Sequence, residues 1–404
     1  MSRNRISKTM DNDTTHRSIL DFSKYCMILS GIWRLPLPTN NRALKKLYMF
    51  YSLIVHIYLP IFLVSLCIQV AKSSTSINDQ KSSVKVFEQL SYMIGLVMIT
   101  ATAVLYQTKA VKEIIYYIIN EDIALSQSKD NEVLQSHSTQ VRFCKQSNFG
   151  VAILMTWMGI SMIFVNYWSR LQAEKYNREH NASIAKPLPY DLYYYKLDKA
   201  EHASMLLALN DITVIVLGLL AASTKMFFFS CIIFPASILK RLQIRLRKVT
   251  MSEDVFFRLK ECVLEHQRVM GFIGKLNDSV KYVIFLEYVV NALTIATVSV
   301  QLIAFDPKQM TYSIPFFGIV FSQSFVVGWS ANEIKIQSSA LADAIYKSGW
   351  YEQNVLVQKM LLTMMMKAHR PLVLTIGPFG PMTTQSAVAI VKGSYSYITV
   401  MMKN

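Results

Sequence analysis

The stretch SAVAIVKGSYSYITVMM, residues Ser386–Met402, combines membrane length with small and hydroxylated side chains. Such residues let helices approach one another closely and line water, so the stretch suits a pore wall better than a lipid-facing span. Counting it as a membrane span decides the fold, because the number of spans becomes odd. The two termini are then expected on opposite sides of the membrane.

The rest of the chain is too apolar for an ordinary soluble protein. Of its 404 residues, 52% are hydrophobic and only 17% are charged, and the apolar residues come in long blocks. A helix needs about 20 apolar residues to cross a bilayer. Seven stretches meet or approach this length and predict an all-α membrane protein with seven transmembrane helices: Leu47–Val70, Val84–Tyr106, Phe149–Trp168, Met205–Phe234, Val283–Phe305, Ser313–Trp329 and Ser386–Met402.

The distribution of basic residues predicts the orientation. Twenty-nine of the 42 Lys and Arg residues lie in the alternate segments 1–46, 107–148, 235–282 and 330–385. Basic residues favour the cytoplasmic side, so these segments, the N-terminus included, are expected in the cytoplasm and the C-terminus outside. The net charge of +16 is explained by basic residues that orient the chain during insertion into the membrane and that attract anionic lipid. No nucleic-acid partner is therefore expected.

Two of the predicted cytoplasmic stretches have helical periodicity, Leu239–Ile273 and Leu341–Met365. Their apolar stripes suit either a helix on the membrane surface or a bundle where several subunits meet. Prolines in His369–Pro381 separate the second stretch from the last span. The predicted organisation is a cytoplasmic N-terminal region (1–46), transmembrane helices 1 to 6 with cytoplasmic helical extensions at 235–282 (47–334), a cytoplasmic anchor helix (335–370), and a link with a pore-lining helix 7 (371–404).

The charged residues Asp211, Lys225 and Lys392 fall inside predicted spans. Asp211 and Lys225 are fourteen positions apart in span 4, about 21 Å along a helix, so they are not expected to pair with each other. Each is expected to face protein or water. Asp211 suits a hydrogen bond to a neighbouring helix or the edge of a ligand cavity, and Lys225 suits snorkelling towards the inner surface. Lys392, in span 7, suits either snorkelling or a wet part of a permeation path.

Aromatic, methionine and hydroxyl side chains gather near the predicted outer ends of spans 2, 3, 4 and 6. They suit a pocket for a small apolar molecule. The aromatic belt of a membrane interface explains the same residues without any ligand. The candidate ligand-binding residues are Phe87, Ser91, Tyr92, Ser161, Phe164, His202, Met205, Leu209, Tyr312 and Phe316.

Other kinds of site find little support in the sequence. His202 has no second ligand at metal spacing, so neither a metal nor a cofactor is expected. Walker, GxSxG, HExxH and CxxC motifs are absent, and no enzyme is predicted. The predicted outer loops hold none of the five cysteines, so no disulfide framework is expected. The sequon at Asn181 lies in a predicted outer loop and is a candidate glycosylation site.

One face of span 7 carries Ser396, Val400 and Lys403, at positions i, i+4 and i+7. A ring of valines from several subunits would form a hydrophobic constriction that closes by dewetting. The alternative is that Val400 only packs in a helix bundle.

Three motifs in the C-terminal third form an ordered combination: LADAIYKSGWYEQ (Leu341–Gln353), KMLLTMMMKAHRPLVLTIGPFGPM (Lys359–Met382) and VKGSYSYITVMM (Val391–Met402). They resemble the tyrosine–tryptophan cytoplasmic helix, the "RPLxLTAG" link and the "LKxSYSYFTLL" ending of the insect odorant receptor family. Ile376 stands where that family usually has alanine, and Ile398 where it usually has phenylalanine. The first two-thirds of the chain resemble the family mainly in topology and loop lengths.

This resemblance implies a seven-helix subunit of a tetramer around a central ion path, with odorants bound in the outer half of each ligand-tuned subunit. By position, Val400 would be the gate, with Ser396 and Tyr397 near the path. The family also contains a shared co-receptor with a large insertion between spans 4 and 5. The segment 235–282 is short, so the chain resembles a ligand-tuned subunit that needs the co-receptor.

The resulting hypothesis is an odorant-gated, non-selective cation channel subunit in the plasma membrane, with the dendrite of an olfactory sensory neuron as its expected location. Its expected partners are a volatile odorant, the co-receptor, membrane lipid and permeating cations. A G-protein-coupled chemoreceptor is the main rival hypothesis. It requires the opposite topology, and the sequence lacks a DRY-like triplet after span 3 and NPxxY in span 7. The sequence also leaves open a solute transporter and a gustatory-type receptor channel.

Overall fold

Helices account for most of the chain in the computed structural model, which describes residues 18–33, 35–37, 39, 41–74, 80–128, 130–180, 190, 192–193, 202–303, 307–389 and 392–393. Short 3-10 turns lie at Val249–Met251 and Trp350–Glu352. The helices with defined bounds are α1 (Asp21–Leu29), α2 (Arg42–Ser74), α3 (Gln80–Leu105), α4 (Lys109–Ser126), α5 (Asn131–His180), α6 (Ala203–Lys248), α7 (Val255–Ile303), α8 (Pro307–Tyr346) and α9 (Val355–Ala368).

The membrane-spanning capacity of these helices agrees with the first five predicted spans. Among the described residues, α2, α5, α6 and α7 are each long and apolar enough to cross a bilayer. The pair α3 and α4 qualifies as a fifth span, although the two are bent by 68° where they meet. The predicted sixth span lies within α8, and most of the seventh lies outside the described residues. The chain is a helical membrane protein, and the count of seven spans stays a prediction.

Three helices are far longer than a bilayer is thick. α5, α6 and α7 have 50, 46 and 49 residues. At about 1.5 Å per residue they measure about 70–75 Å, against about 30 Å for a hydrocarbon core. They therefore project well beyond the membrane. Both stretches predicted to be helical outside the spans are helices: the first continues α6 and opens α7, and the second forms the end of α8 and α9.

Helix α6 is the axis of the bundle. It packs against α5, α7, α8 and α1. Every residue from 226 to 239 is buried, which is typical of a helix surrounded by others on all sides. Pro235 lies within this buried part. Because proline has no backbone N–H, the carbonyl of Cys231 lacks its usual helical donor.

A layer of ion pairs joins the helix ends beyond this buried stretch. The Arg241 guanidinium lies 2.7 Å from Glu121 of α4 and 2.6 Å from Glu265 of α7. Arg245 also pairs with Glu265, at 2.6 Å. Lys248 pairs with Asp130, just before α5, at 2.8 Å. We call this region the charged layer. Since it joins α4, α5, α6 and α7, it fixes which ends of these helices lie together.

The segment that follows α9 is docked on α7. The Asn277 side-chain oxygen accepts a hydrogen bond from the Thr375 N–H at 2.7 Å, and the Gly377 N–H donates to the Lys281 carbonyl at 3.0 Å. Gly377 has φ of +52°, and a Cβ there would lie 3.1 Å from the Phe285 Cβ, so both backbone and space favour glycine. These contacts hold the link to the last predicted span against α7.

The first turn of that last stretch lies against α8. A Cβ added at Gly328 of α8 would come within 2.9 Å of the Thr383 carbonyl oxygen and 3.1 Å of the Ala387 Cβ. Residues 384–389 are helical. The absence of a side chain at Gly328 thus permits the close approach of two helices.

The chain's N-terminal described segment is part of the bundle. The Ile19 N–H donates to Asp122 at 3.2 Å, and the Ser52 hydroxyl of α2 donates to the Gly31 carbonyl at 2.6 Å. Trp33 is 2% exposed. All five cysteine thiols are free, and three of them, Cys144, Cys231 and Cys262, are buried.

Candidate ligand cavity

A cavity of about 260 Å³ lies between the helices, beside residues 214–228 of α6, whereas the charged layer lies beside residues 241–248 of that helix. Its walls come from α3, α5, α6, α7 and α8, with Phe62 of α2 and Tyr190 adding to them. Most of the lining is apolar, which is typical of ligand sites, and the volume suits a small molecule. Representative wall residues, one from each helix, are Met98, Met158, Leu217, Val290 and Ile319.

Three glycines widen the cavity. Gly95 of α3 and Gly218 of α6 both line it, and a Cβ added at either would meet no atom within 4 Å. Gly159 of α5 faces Val214, with 3.9 Å from an added Cβ to the valine side chain. Glycine in a helix interior costs about 1 kcal/mol relative to alanine. Here the missing side chains leave room that a ligand can fill.

Aromatic side chains close the cavity at the end remote from the charged layer. Tyr190, in the connection between α5 and α6, packs edge-to-face on Phe62 with ring centroids 5.4 Å apart. Its N–H donates to the Asn210 side chain at 3.0 Å. Nearby, the Ser65 hydroxyl of α2 donates to the Tyr193 carbonyl at 2.8 Å. Side chains of α2 and α6 therefore hold the backbone of Tyr190 and Tyr193 in place.

A cluster of polar side chains lines the half of the cavity nearer the charged layer. The Lys225 ammonium of α6 lies 3.3 Å from the Glu287 carboxylate of α7. It also donates to the Gln323 side-chain oxygen of α8, at 2.5 Å, and the Gln323 amide donates to Glu287. These residues, which we call the polar cluster, join three helices. They satisfy the rule that charges within a membrane pair with each other or face a polar cavity.

The structure bears on the roles expected of two intramembrane charges, and neither role expected of Asp211 is seen among the described residues. Lys225 does not snorkel but pairs across the cavity wall. Asp211 does not line the cavity, and its Oδ1 atom is buried without a hydrogen-bond partner among the described residues. Lys392 lies in a two-residue described segment next to the undescribed end of the chain.

One of the ten predicted ligand-binding residues, Phe316, lines the cavity. Ser161 is buried, and its hydroxyl donates to the Met158 carbonyl of its own helix at 2.9 Å. Phe164, Met205 and Leu209 do not line the cavity and are 57%, 53% and 41% exposed.

The other predicted ligand-binding residues lie at or beyond the margins of the described structure. His202 sits at the start of α6, where its Nδ1 is buried without a partner among the described residues. The side chains of Phe87, Ser91, Tyr92 and Tyr312 are outside the described part. A ligand-binding role for these residues stays a prediction.

The predicted pore and glycosylation sites fall outside the described residues. These are Ser396, Tyr397, Val400, Lys403 and Asn181. Within the described residues, no group of three or more His, Cys, Asp or Glu side chains is placed to hold a metal ion.

Sequence reasoning missed Glu287 and Gln323, although a signal was present. Glu287 is an acidic residue within the predicted span Val283–Phe305, and Lys225 is a basic residue within another span. Opposite charges buried in two spans are expected to pair with each other. Gln323, in the predicted sixth span, was the third polar residue available to join them.

The family of the chain follows from a match to a known family model. The model described as 7tm Odorant receptor matches residues 84–395. The chain belongs to this odorant receptor family. The match begins in α3 and takes in every described cavity-lining residue except Phe62. The family consists of receptors, so the protein is not an enzyme.

Individual odorant receptors match over shorter stretches. Odorant receptor 10 of Aedes albopictus is 26% identical over 182 residues, which cover 43% of this chain and 48% of that protein. Odorant receptor Or2 of Anopheles gambiae is 28% identical over 187 residues, which cover 43% of this chain and 50% of that protein. The chain thus matches about half the length of these relatives.

A solved odorant receptor structure has the same fold. The insect olfactory receptor OR5 from Machilis hrabei matches with a TM-score of 0.78 and 15% identity, over 95% of this chain and 97% of that one. The structure of the same receptor in complex with eugenol matches with a TM-score of 0.79 and 14% identity, with the same coverage. The chain therefore has the odorant receptor fold along nearly its whole length.

Proposed function

We propose that the protein is an odorant-gated, non-selective cation channel subunit. The observation that carries this proposal is the apolar cavity between α3, α5, α6, α7 and α8, in a chain with the odorant receptor fold. A small volatile molecule enters the cavity and favours the open state. Binding shifts the equilibrium only by as much as the ligand prefers that state, so the cavity must differ between closed and open subunits.

The proposed ligand is a small, mostly apolar molecule. OR5 of the same fold binds eugenol, a small aromatic compound, according to its solved complex. In this chain the wall residues Met98, Met158, Leu217 and Val290 would provide apolar contact. Methionine adapts its shape to different ligands because it is unbranched and flexible. Phe316 is the residue common to the predicted pocket and this cavity.

The proposed orientation has the charged layer in the cytoplasm. That layer contains Arg241, Arg245 and Lys248, whose side chains belong to the basic cluster after predicted span 4. The N-terminus would lie inside and the C-terminus outside. Asn181, which belongs to the predicted outer loop after α5 in the sequence, would then be available for glycosylation. The plasma membrane of the sensory dendrite is the proposed location.

The proposed assembly is a tetramer with the co-receptor, in which helix 7 lines the pore. Val400 is the proposed gate, with Ser396, Tyr397 and Lys403 along the path. A ligand-tuned role is supported by the short connection between α6 and α7, which end and begin at Lys248 and Val255. Only a single 3-10 turn intervenes, with no inserted domain.

The test is a recording of ligand-evoked current from cells that express this chain with and without the co-receptor, using a panel of volatiles. Current that requires both chains supports the proposal, and saturable uptake without current supports a transporter instead. Val400→Ala is expected to raise the basal current or shift ion selectivity at normal surface expression, because alanine widens and wets the constriction. An N-terminal epitope that is accessible on intact cells would contradict the proposed orientation.

A further inference from the structure

The hydrogen-bonding capacity of the polar cluster is not exhausted by its internal contacts. An ammonium group has three N–H donors. Within the described residues, Lys225 uses one for Glu287 and one for Gln323. Glu287 receives both Lys225 and Gln323 through the same oxygen, Oε1. One lysine donor and the second carboxylate oxygen are therefore left for a further partner.

The cluster is open to the cavity rather than sealed in the helix packing. The Lys225 side chain is 27% exposed and the Glu287 side chain 18% exposed, and both residues line the cavity. Lys225 is the cation and Glu287 the carboxylate of the described lining. A ligand in the cavity can thus reach both.

Several other polar groups of the lining are already committed. The Thr224 hydroxyl donates to the Leu220 carbonyl at 2.9 Å, and the Thr102 hydroxyl donates to the Met98 carbonyl at 2.7 Å. The Tyr106 hydroxyl donates to the Thr224 carbonyl at 2.8 Å. These side chains satisfy helix backbone groups. The remaining N–H of Lys225 is consequently the strongest donor that the described lining offers to a ligand, since hydrogen bonds from charged donors are roughly twice as strong as those from neutral donors.

The charge of the cluster selects against ionic ligands. One ammonium and one carboxylate sum to zero, so the cavity is electrically balanced when empty. A carboxylate or ammonium ligand would add an unpaired charge in an apolar site, which is unfavourable. A hydrocarbon would leave the Lys225 donor unpaired and deprived of water, which is also unfavourable. A neutral ligand with an oxygen acceptor meets both conditions.

We propose that Lys225, held by Glu287 and Gln323, is the specificity-determining residue of the cavity, and that it selects neutral oxygenated molecules: alcohols, aldehydes, ketones or esters with an apolar body. This inference rests on the proposed function, because it assumes that the ligand binds in the cavity. The apolar walls hold the body of the ligand, and the ligand oxygen accepts a hydrogen bond from the Lys225 ammonium.

The test compares ligands of one shape and different polar groups. Full-length protein, purified with its co-receptor in lipid nanodiscs, is loaded with an apolar fluorescent naphthylamine. Displacement is measured with octane, octanol, octanal, octanone, octanoic acid and octylamine, and with the matching aromatic set from ethylbenzene to phenylethanol, acetophenone, phenylacetic acid and phenylethylamine. We expect the alcohols, aldehyde and ketones to displace the reporter at concentrations about tenfold lower than the hydrocarbons, acids and amines.

The main variant is the double substitution Lys225→Met with Glu287→Gln, which keeps side-chain length and leaves no unpaired charge. It should abolish the preference for oxygenated ligands. Hydrocarbons should displace the reporter at lower concentrations than from the wild type, because no buried donor is left unpaired. Val290→Ala alters an apolar wall and should weaken all members of a set by similar factors. Lys260→Met removes an exposed lysine of α7 outside the cavity and should change nothing.

Gln323→Leu covers the case in which the double variant fails to reach the membrane. It removes one partner of Lys225 but leaves the ion pair, so the preference for oxygenated ligands should persist or grow. Three outcomes would overturn this inference but leave the proposed function standing. The first is equal displacement of the reporter from the wild type by hydrocarbons and oxygenated ligands. The others are a preference for oxygenated ligands that survives in the double variant, and one that disappears in Gln323→Leu. Failure of every ligand to displace the reporter or evoke current would overturn the proposed function with it.

Discussion

At the scale of single residues, the pairing of Lys225 with Glu287 makes each side chain dependent on the other. Removing one member of a buried pair leaves an uncompensated charge and costs about 3–5 kcal/mol, whereas replacing both by neutral groups is often tolerated. The lower end of this range applies here, because the Lys225 side chain keeps 27% of its surface exposed. Loss of one charge should therefore be worse than loss of both.

The first prediction follows from this asymmetry. Lys225→Met is expected to lower the free energy of unfolding by about 3 kcal/mol, and adding Glu287→Gln to that variant is expected to recover part of the loss. Surface labelling and the thermal midpoint of the solubilised protein measure the difference. A double variant less stable than Lys225→Met alone would show that the two charges do not act as a pair.

A second prediction concerns the glycines of the cavity wall. Gly218→Leu is expected to fill part of the cavity, because a Cβ at this position has no neighbour within 4 Å. Large ligands should lose affinity by tenfold or more, and the smallest should be affected least. Gly271→Leu is the matched control on an exposed face of α7, where an added Cβ also meets nothing. Dose–response currents for ligands of increasing length distinguish the two variants.

Sequence reasoning at this scale identified the unusual residues but not their partners. Lys225 and Asp211 stood out because charges are rare in apolar spans. The ion pair with Glu287 depends on how α6 and α7 are rotated and placed, which one-dimensional spacing does not contain. The prediction assumed a pocket near the outer ends of the spans, and among the predicted ligand-binding residues whose side chains are described only Phe316 lines the cavity.

At the scale of helices, patterning was most informative where apolar stretches were long. Five predicted spans correspond to α2, to α3 with α4, and to α5, α6 and α7. The helix α4 was not predicted, because the segment 107–148 was treated as a loop. Its start is fixed locally by Thr108, whose side chain accepts a hydrogen bond from the Val111 N–H at 3.4 Å. A threonine cap is too common a feature to reveal a 68° bend in advance.

The packing of α7 against α9 provides a pH-dependent prediction. His266 of α7 is 5% exposed, and burial, followed by the charge of Lys367 on α9, lowers its pKa below the usual value. In the unfolded chain the group titrates near pH 6.5, so below that pH the unfolded state binds more protons. The neutral His266 ring therefore makes its full contribution to the free energy of unfolding above about pH 6.5. This contribution falls as the pH decreases towards the lower pKa of the folded state.

The measurement is the thermal midpoint of solubilised protein between about pH 8 and pH 5, across the range in which histidine titrates. The wild type should lose stability more steeply on acidification than His266→Gln, which has no titrating ring. His369→Gln is a control substitution at an exposed position just after α9. Identical pH profiles for the wild type and His266→Gln would contradict the assignment.

At the scale of the whole molecule, the cavity and the last stretch of the chain are linked through α7 and α8. α7 carries Glu287 in the polar cluster, and two residues earlier Phe285 stacks on Phe379 of the link, with ring centroids 5.0 Å apart. α8 carries Gln323, and five residues later Gly328 lies against Thr383. A movement of α7 or α8 at the polar cluster can therefore be transmitted to the start of the predicted pore helix through contacts only a few residues away. No sequence pattern indicated this arrangement, because it depends on contacts between distant segments.

The last prediction tests this connection. Gly328→Ala is expected to push the 383–387 turn away from α8, because the new Cβ would lie 2.9 Å from the Thr383 oxygen. Overpacking of this kind typically costs about 1–3 kcal/mol. Basal and ligand-evoked currents should change while ligand displacement stays near that of the wild type. Gly318→Ala on the same helix, where an added Cβ meets nothing, should leave both unchanged. Equal behaviour of the two variants would contradict the connection.

The missing backbone donor at Pro235 has a mechanical consequence. α6 carries the cavity wall at Leu217 and Lys225 on one side of this proline and the charged layer at Arg241 on the other. Changing the curvature of a helix stretches its hydrogen bonds, and at Pro235 one of these bonds is missing. Bending about Pro235 therefore costs less than bending elsewhere along α6, so this is the point at which a change of angle between the cavity wall and the charged layer is opposed least.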